Sequence, residues 1–196
     1  MKSIFLTLII FISVNVFSQN KANFAKSYEL EYKLDYDGAI NAIKSESSNY
    51  FGAARLGYLY FTAKNYKSAI DAYKQAISLN GKSIEAHLGL ANVYYANQNW
   101  KELDDNYSKI LTIDPTNYTA GYNLALSKYN QKQYTQAETL ITKVVNLYPF
   151  DYSANLLMAG TKLSLGKLND AKTFYNNVLI ISPSDTIATE TLSQLK

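Results

Sequence analysis

His87 is the only histidine in a chain of 196 residues, and cysteine is absent. A Ser/His/Asp triad or a two-histidine zinc motif needs an imidazole, so any such chemistry must pass through this one ring. Without cysteine there is no disulfide, no thiolate nucleophile and no thiolate metal site. Asp104 and Asp105 resemble a carboxylate pair. Adjacent residues on a helix do not face each other, so both are expected on a solvated outer face. The glycines at 52, 57, 81, 89, 121, 160 and 166 form no phosphate-cradling motif. The expectation is a non-enzyme with no catalytic residue, no metal and no cofactor, in which His87 serves packing.

Charge narrows the partners. The chain carries 19 Lys and Arg against 16 Asp and Glu, a formal net charge of +3, and no basic run. That balance gives nucleic acid no electrostatic footprint. Apolar residues make up 47% and charged residues 18%, a folding composition, and only three prolines interrupt it.

The first residues, MKSIFLTLIIFISVNVFSQN, have three parts. Lys2 is a short positive region, Ile4 to Ile12 is a nearly unbroken apolar core, and Val16-Phe17-Ser18 offers a small residue before a cut. This is the layout of a secretory signal peptide over residues 1–18, cleaved before Gln19. Ser13 and Asn15 interrupt the apolar stretch, which falls short of the roughly 20 residues a spanning helix needs. The mature chain is expected to be exported and periplasmic, with secretion as the alternative. In style the segment resembles exports of Bacteroidota-type bacteria.

What must position any functional residue is a repeat. Rows of thirty-four residues starting at Tyr50, Ile84, Tyr118 and Tyr152 align without a gap. Column 8 reads Gly57, Ala91, Ala125 and Ala159, and column 20 reads Ala69, Leu103, Ala137 and Ala171. Column 24 reads Tyr73, Tyr107, Ile141 and Tyr175, and column 32 reads Gly81, Pro115, Pro149 and Pro183. Apolar spacings of three and four predict two helices per row. Small residues allow close helix approach, a large residue fills the space beside them, and Gly or Pro ends the second helix. The expected helices are 51–64, 67–79, 84–97, 101–113, 118–131, 135–147, 152–165, 169–181 and 185–195. Lys128 and Lys162 stand in column 11, where Tyr60 and Tyr94 stand in earlier rows. Their ammonium groups are expected in water, with the stems on the core. Upstream, Tyr36, Ala39, Ile40 and Ala42 fall under Tyr66, Ala69, Ile70 and Ala72 at a spacing of thirty. Residues 19–49 therefore read as a degenerate first repeat with a shortened second helix. Residues 184–196 read as a C-terminal capping helix.

These columns resemble the tetratricopeptide repeat over residues 50–183, divided as 50–83, 84–117, 118–151 and 152–185. The resemblance implies an all-α, right-handed solenoid of helix-turn-helix repeats. The family's tryptophan at column 4 is replaced by Ala53, His87, Gly121 and Asn155. The resemblance also implies a concave groove lined by the first helices, which receives protein or an extended peptide. It assigns Arg55, Tyr58, Phe61, Asn92, Tyr95, Tyr122, Asn123 and Tyr129 to that groove. Tyr95 and Tyr129 share column 12 and are expected to form a ladder, while Arg55 and Glu85 are expected to orient a charged peptide. The family's grip on a terminal carboxylate is not matched, because its places hold Ala54 or Leu88, Asn123 and Leu157. The function expected is a non-catalytic scaffold for protein partners, with no nucleic acid and no small-molecule cofactor. Membrane contact is expected only through an uncut export segment, which would make the chain a tethered envelope assembly adaptor. The other alternative is an accessory domain of an enzyme complex, if His87 lines a cleft.

Overall fold

A computed structural model describes residues 20–195. The expected export segment, 1–18, lies outside the described residues. No strand occurs among the described residues, and none of their helices is long and apolar enough to cross a membrane. The chain divides into two compact units, up to Trp100 and from Lys101 onward.

In the first unit, α1 covers 20–32. It is followed by α2 (Tyr36–Ile43), a short 3-10 turn (Lys44–Glu46), α3 (Tyr50–Thr62), α4 (Tyr66–Leu79) and α5 (Ile84–Ala96). The second unit holds α6 (Trp100–Ile113, entered at its second residue), α7 (Tyr118–Asn130), α8 (Tyr134–Leu147), α9 (Tyr152–Ser164), α10 (Leu168–Ile181) and α11 (Thr186–Gln194). From α3 on, every helix begins and ends within two residues of the expected limits. The second helix of the first hairpin is short, with 8 residues in α2 against 14 in α4.

The starts of the first helices have a common cause. Asn49, Ser83, Asn117, Asp151 and Asp185 cap α3, α5, α7, α9 and α11, each accepting from the backbone N–H three residues on. Such caps satisfy a donor that the helix itself cannot. Tyrosine at the first position of a repeat then reaches the cap of the next. The Tyr50 hydroxyl lies 2.6 Å from Ser83 Oγ. The Tyr118 hydroxyl donates to Asp151 Oδ1 at 2.9 Å, and that of Tyr152 to Asp185 Oδ2 at 2.6 Å.

The turns after α1, α3, α5, α7 and α9 also share one device. Leu34, Lys64, Gln98, Lys132 and Gly166 are left-handed, with φ of 61, 59, 57, 61 and 72°. The next residue's N–H returns to a carbonyl one turn back: Asp35 to Leu30 (2.9 Å), Asn65 to Tyr60 (2.8 Å), Asn99 to Tyr94 (2.8 Å), Gln133 to Lys128 (2.8 Å) and Lys167 to Lys162 (2.9 Å). This is the six-to-one bond of a Schellman helix end, for which glycine is the least strained residue.

The cores follow the columns. In the first unit Ile40, Ile43, Leu56 and Leu59 form one cluster, and Ala53, Ala76 and Ala86 another. In the second unit Ile141, Val144 and Met158 form one cluster, and Ala171, Tyr175, Val178 and Ala188 another. The buried Tyr73 shows what the small columns are for. A Cβ at Gly57 would lie 2.7 Å from its ring, and one at Gly89 would also run into it. Burial, followed by the charges of Glu85, Tyr58 and Tyr50, pushes the Tyr73 phenol up to about 12.

Ala137, in column 20, is fully buried. Ala137→Leu is expected to cost about 1–3 kcal/mol through overpacking. Leu103 is buried in the same column, so bulk is accommodated in one row. A urea midpoint unchanged by Ala137→Leu would mean that this column makes no tight contact in α8.

Candidate partner-binding site

The first helices of the first unit enclose a pocket of about 430 Å³, lined by Phe24, Tyr28 and Glu31 from α1, Tyr50, Phe51, Ala54, Arg55 and Tyr58 from α3, Tyr73 from α4 and Glu85 from α5. Arg55 forms its wall. Only 8% of the residue is exposed, and Nη2 lies 2.6 Å from Glu31 Oε2. Its Nε donates to Ser27 Oγ at 3.3 Å. The guanidinium carbon sits 3.9 Å from the Tyr28 ring centroid and 5.6 Å from that of Tyr58. The Tyr58 hydroxyl is raised by its hydrogen bond to Glu31, with burial adding to the shift. Arg55 is thus neutralised inside the fold. Its charge holds two rings and a carboxylate in place and is not presented to a peptide, which revises the orienting role expected for it.

The other expected residues fall into separate surroundings. Phe61 is half-buried, one turn along α3 from Tyr58, with its ring 6.2 Å from that of Tyr66. Asn92 and Tyr95 are exposed on α5, and Tyr95 meets Trp100 edge-on at 5.7 Å. In the second unit Tyr122 stacks on Tyr118 with centroids 5.8 Å apart. Asn123 bonds back to the Thr119 carbonyl at 2.9 Å. Tyr129 packs on the core cluster beside Tyr134. The structure thus brings Arg55 and Tyr58 into one pocket. Of the remaining expected residues, Tyr95 and Asn92 stand open on the first unit, while the three on α7 are half-buried in the second.

Sequence reasoning missed Phe24, Tyr28 and Glu31. The signal was present, because the same spacing of thirty that aligns Ala39 with Ala69 places Tyr28 under Tyr58 and Phe24 under Ala54.

His87 is 4% exposed, at the packing position its column implies. No group of three or more His, Cys, Asp or Glu able to hold a metal ion occurs among the described residues. The acidic pair is corrected. Asp105 is exposed and pairs with Lys101 at 2.9 Å, but Asp104 is only 7% exposed. Asp104 Oδ2 receives Lys128 Nζ at 2.8 Å and Gln131 Nε2 at 2.9 Å. The lysines are corrected with it. The ammonium group of Lys128 is bound to Asp104 rather than left in water, and that of Lys162 lies 2.7 Å from Glu138 and 3.0 Å from Asp170. An ammonium carried onto a protein surface seeks a carboxylate when one stands within reach. Column 21 of the preceding repeat supplies it in both cases.

These pairs set a pH window. Burial raises the Asp104 carboxyl, but hydrogen bonds from Lys128, Ser127 and Gln131 together hold it below its ordinary value of 3.8. Lys162 and then Lys167 hold Glu138 below 4.5, and Glu138 in turn raises Lys162 above 10.5. A depressed carboxylate contributes stability above its unfolded pKa and loses it as pH falls through the folded one. A raised lysine contributes below its unfolded pKa and loses it as pH rises through the folded one. Stability from these pairs is therefore expected to be full between about pH 5 and 9 and to decline outside that range. Urea midpoints across pH 3 to 7 test this. Glu138→Gln should show a shallower acid loss than the native chain, and an equal loss would assign the acid sensitivity to other groups.

Two family models match the chain. One, described as TPR repeat, covers residues 57–98, and one, described as tetratricopeptide repeat, covers 119–151. Among solved structures, a tetratricopeptide repeat protein from Parabacteroides merdae shares 22% identity, with 91% of this chain and 72% of that chain covered and a TM-score of 0.75. YrrB, described as a TPR protein with an unusual peptide-binding site, shares 21% identity over 79% of this chain and 80% of its own, with a TM-score of 0.68. The first TPR domain of Spaghetti (RPAP3), solved bound to the HSP90 peptide SRMEEVD, shares 28% identity over 54% of this chain and 83% of its own, with a TM-score of 0.50. No curated protein matches the chain. Residues 57–98 and 119–151 thus match tetratricopeptide repeats, and the fold class of the chain is the all-α helical solenoid.

Proposed function

We propose that the protein is an exported, non-catalytic scaffold that holds a protein or extended peptide along the face formed by α1, α3 and α5. The observation that carries this reading is the pocket between α1, α3 and α5, walled by aromatic rings and open to solvent on that face. Its volume lies in the range of pockets that take ligands, about 300–1,000 Å³. Exposed tyrosines such as Tyr58 and Tyr95 give apolar contact through the ring and a hydrogen bond through the tip, with little rotamer entropy to lose. A protein with a peptide-binding site and a peptide-bound domain among structures of this fold support the choice of partner class. Export rests on the composition of residues 1–18, and intact mass of the envelope-derived protein should begin at Gln19. A mass that includes Met1 would favour the tethered adaptor.

The test of the groove is a double substitution of two exposed tyrosines of the first unit, Tyr58→Ala with Tyr95→Ala. Truncating interface anchors typically costs about 2 kcal/mol or more in binding. With helix content and melting retained, capture of the native partner is expected to fall by more than tenfold, taking about 1.4 kcal/mol per decade. Full retention of binding would move the site to the opposite face or to α11.

A further inference from the structure

The pocket in the first unit has a definite charge. Three charged side chains line it: Glu31, Arg55 and Glu85. Glu31 and Arg55 neutralise each other at 2.6 Å. Glu85 is exposed in the first turn of α5, and its carboxylate has the Tyr50 hydroxyl at 3.4 Å. No cation pairs with Glu85 among the described residues. One uncompensated negative charge therefore stands at the rim of an aromatic pocket.

Phe51 also lines the pocket, 71% exposed, with its ring edge-on to Tyr50 at 5.3 Å. Tyr58 lines the pocket as well, with part of its ring open. An apolar occupant would strip water from Glu85 and return nothing, which is costly for a carboxylate. An acidic occupant would meet Glu85 directly. It could not recruit Arg55 without displacing Glu31, because the guanidinium is buried, ion-paired to Glu31 at 2.6 Å and hydrogen-bonded through Nε to Ser27. A cation satisfies both features, since aromatic faces attract it and the carboxylate pairs with it. The fold contains its own example of the first interaction, the Arg55 guanidinium lying on the face of Tyr28.

We propose that this pocket receives a lysine or arginine side chain from an extended segment of a protein partner, with the stem on Phe51 and Tyr58 and the charged head at Glu85. This rests on the peptide-groove reading above and adds the sign of the partner.

The experiment is selection of a random dodecapeptide display library on the purified protein, followed by affinity measurement of one enriched synthetic peptide by fluorescence anisotropy. Enriched peptides are expected to carry Lys or Arg next to apolar residues. Replacing that residue by Met in the synthetic peptide should weaken binding about tenfold, and Glu should weaken it further. In Glu85→Gln the difference between the Arg and Met peptides should shrink below about threefold, with circular dichroism unchanged because the side chain is exposed. Phe51→Ala should weaken the Arg and Met peptides alike. Peptides enriched without charge preference, or a preference unaltered by Glu85→Gln, would overturn the basic-residue assignment and leave the groove standing. A library with no enrichment over background would overturn the peptide groove itself.

Discussion

Lys128→Met is expected to lower stability by about 2–3 kcal/mol, a large effect for a single residue in a chain of this size. The reason is what it leaves behind. Asp104 is buried and would keep only the neutral donors Gln131 and Ser127. Breaking a buried pair by removing one member typically costs about 3–5 kcal/mol, and the partial exposure of Lys128 lowers that figure. The chain itself supplies the control. The matching places one junction earlier hold Ile70 and Tyr94, and one earlier still Ile40 and Tyr60, where Tyr60 packs on the cluster containing Ile40. Asp104→Ile combined with Lys128→Tyr is thus expected to regain most of the loss, giving a coupling energy of about 2 kcal/mol in a double-mutant cycle. Urea unfolding of the native chain, Asp104→Ile, Lys128→Tyr and the double variant measures it. Additive losses in the double variant would show that the pair is not a unit.

The second large effect has the opposite sign. Leu34, Lys64, Gln98 and Lys132 hold left-handed backbone without being glycine. A residue with a Cβ is strained there by about 1–2 kcal/mol, and glycine returns part of that gain as extra freedom in the unfolded chain. Each change to glycine should therefore stabilise by about 0.5–1 kcal/mol, and the four together by about 2–4 kcal/mol, since the sites are far apart in sequence. Gly166 already occupies the equivalent turn after α9. A fourfold variant that melts no higher than the native chain would show that side-chain contacts at these turns offset the strain.

Helix limits were legible because apolar and small residues recur in register, so an error in one row is corrected by the next. The turn conformation was not, because Leu34, Lys64 and Gln98 carry no mark of it, and only Gly166 hints at the column. Asp104 was misread for a related reason. Two adjacent acids look solvated, and what buries one of them is a lysine twenty-four residues away. Comparing column 11 with column 21 of the preceding row would have found both ion pairs. In the candidate site, Arg55 and Tyr58 were legible from their columns. The roles of Glu31 and Tyr28 were hidden by the shorter first repeat, whose thirty-residue offset was followed into α2 but not into α1.

The junction residues also determine which repeats can follow which. Residues 118–151 carry Lys128 on the incoming edge and Glu138 on the outgoing one, so this repeat is complementary to itself. Residues 50–83, with Tyr60 and Ile70, match themselves in apolar fashion. Residues 84–117 carry Tyr94 and Asp104 and work as an adaptor between the two kinds of edge. Residues 152–185 offer Lys162 and then Lys172, which leaves nothing for another lysine edge to bind. Growth of this array by tandem copying is accordingly permitted at two places and resisted at the others. A chain with 118–151 duplicated is expected to melt no lower than the native one, whereas duplication of 84–117 sets a tyrosine edge against Asp104 and should lower the midpoint.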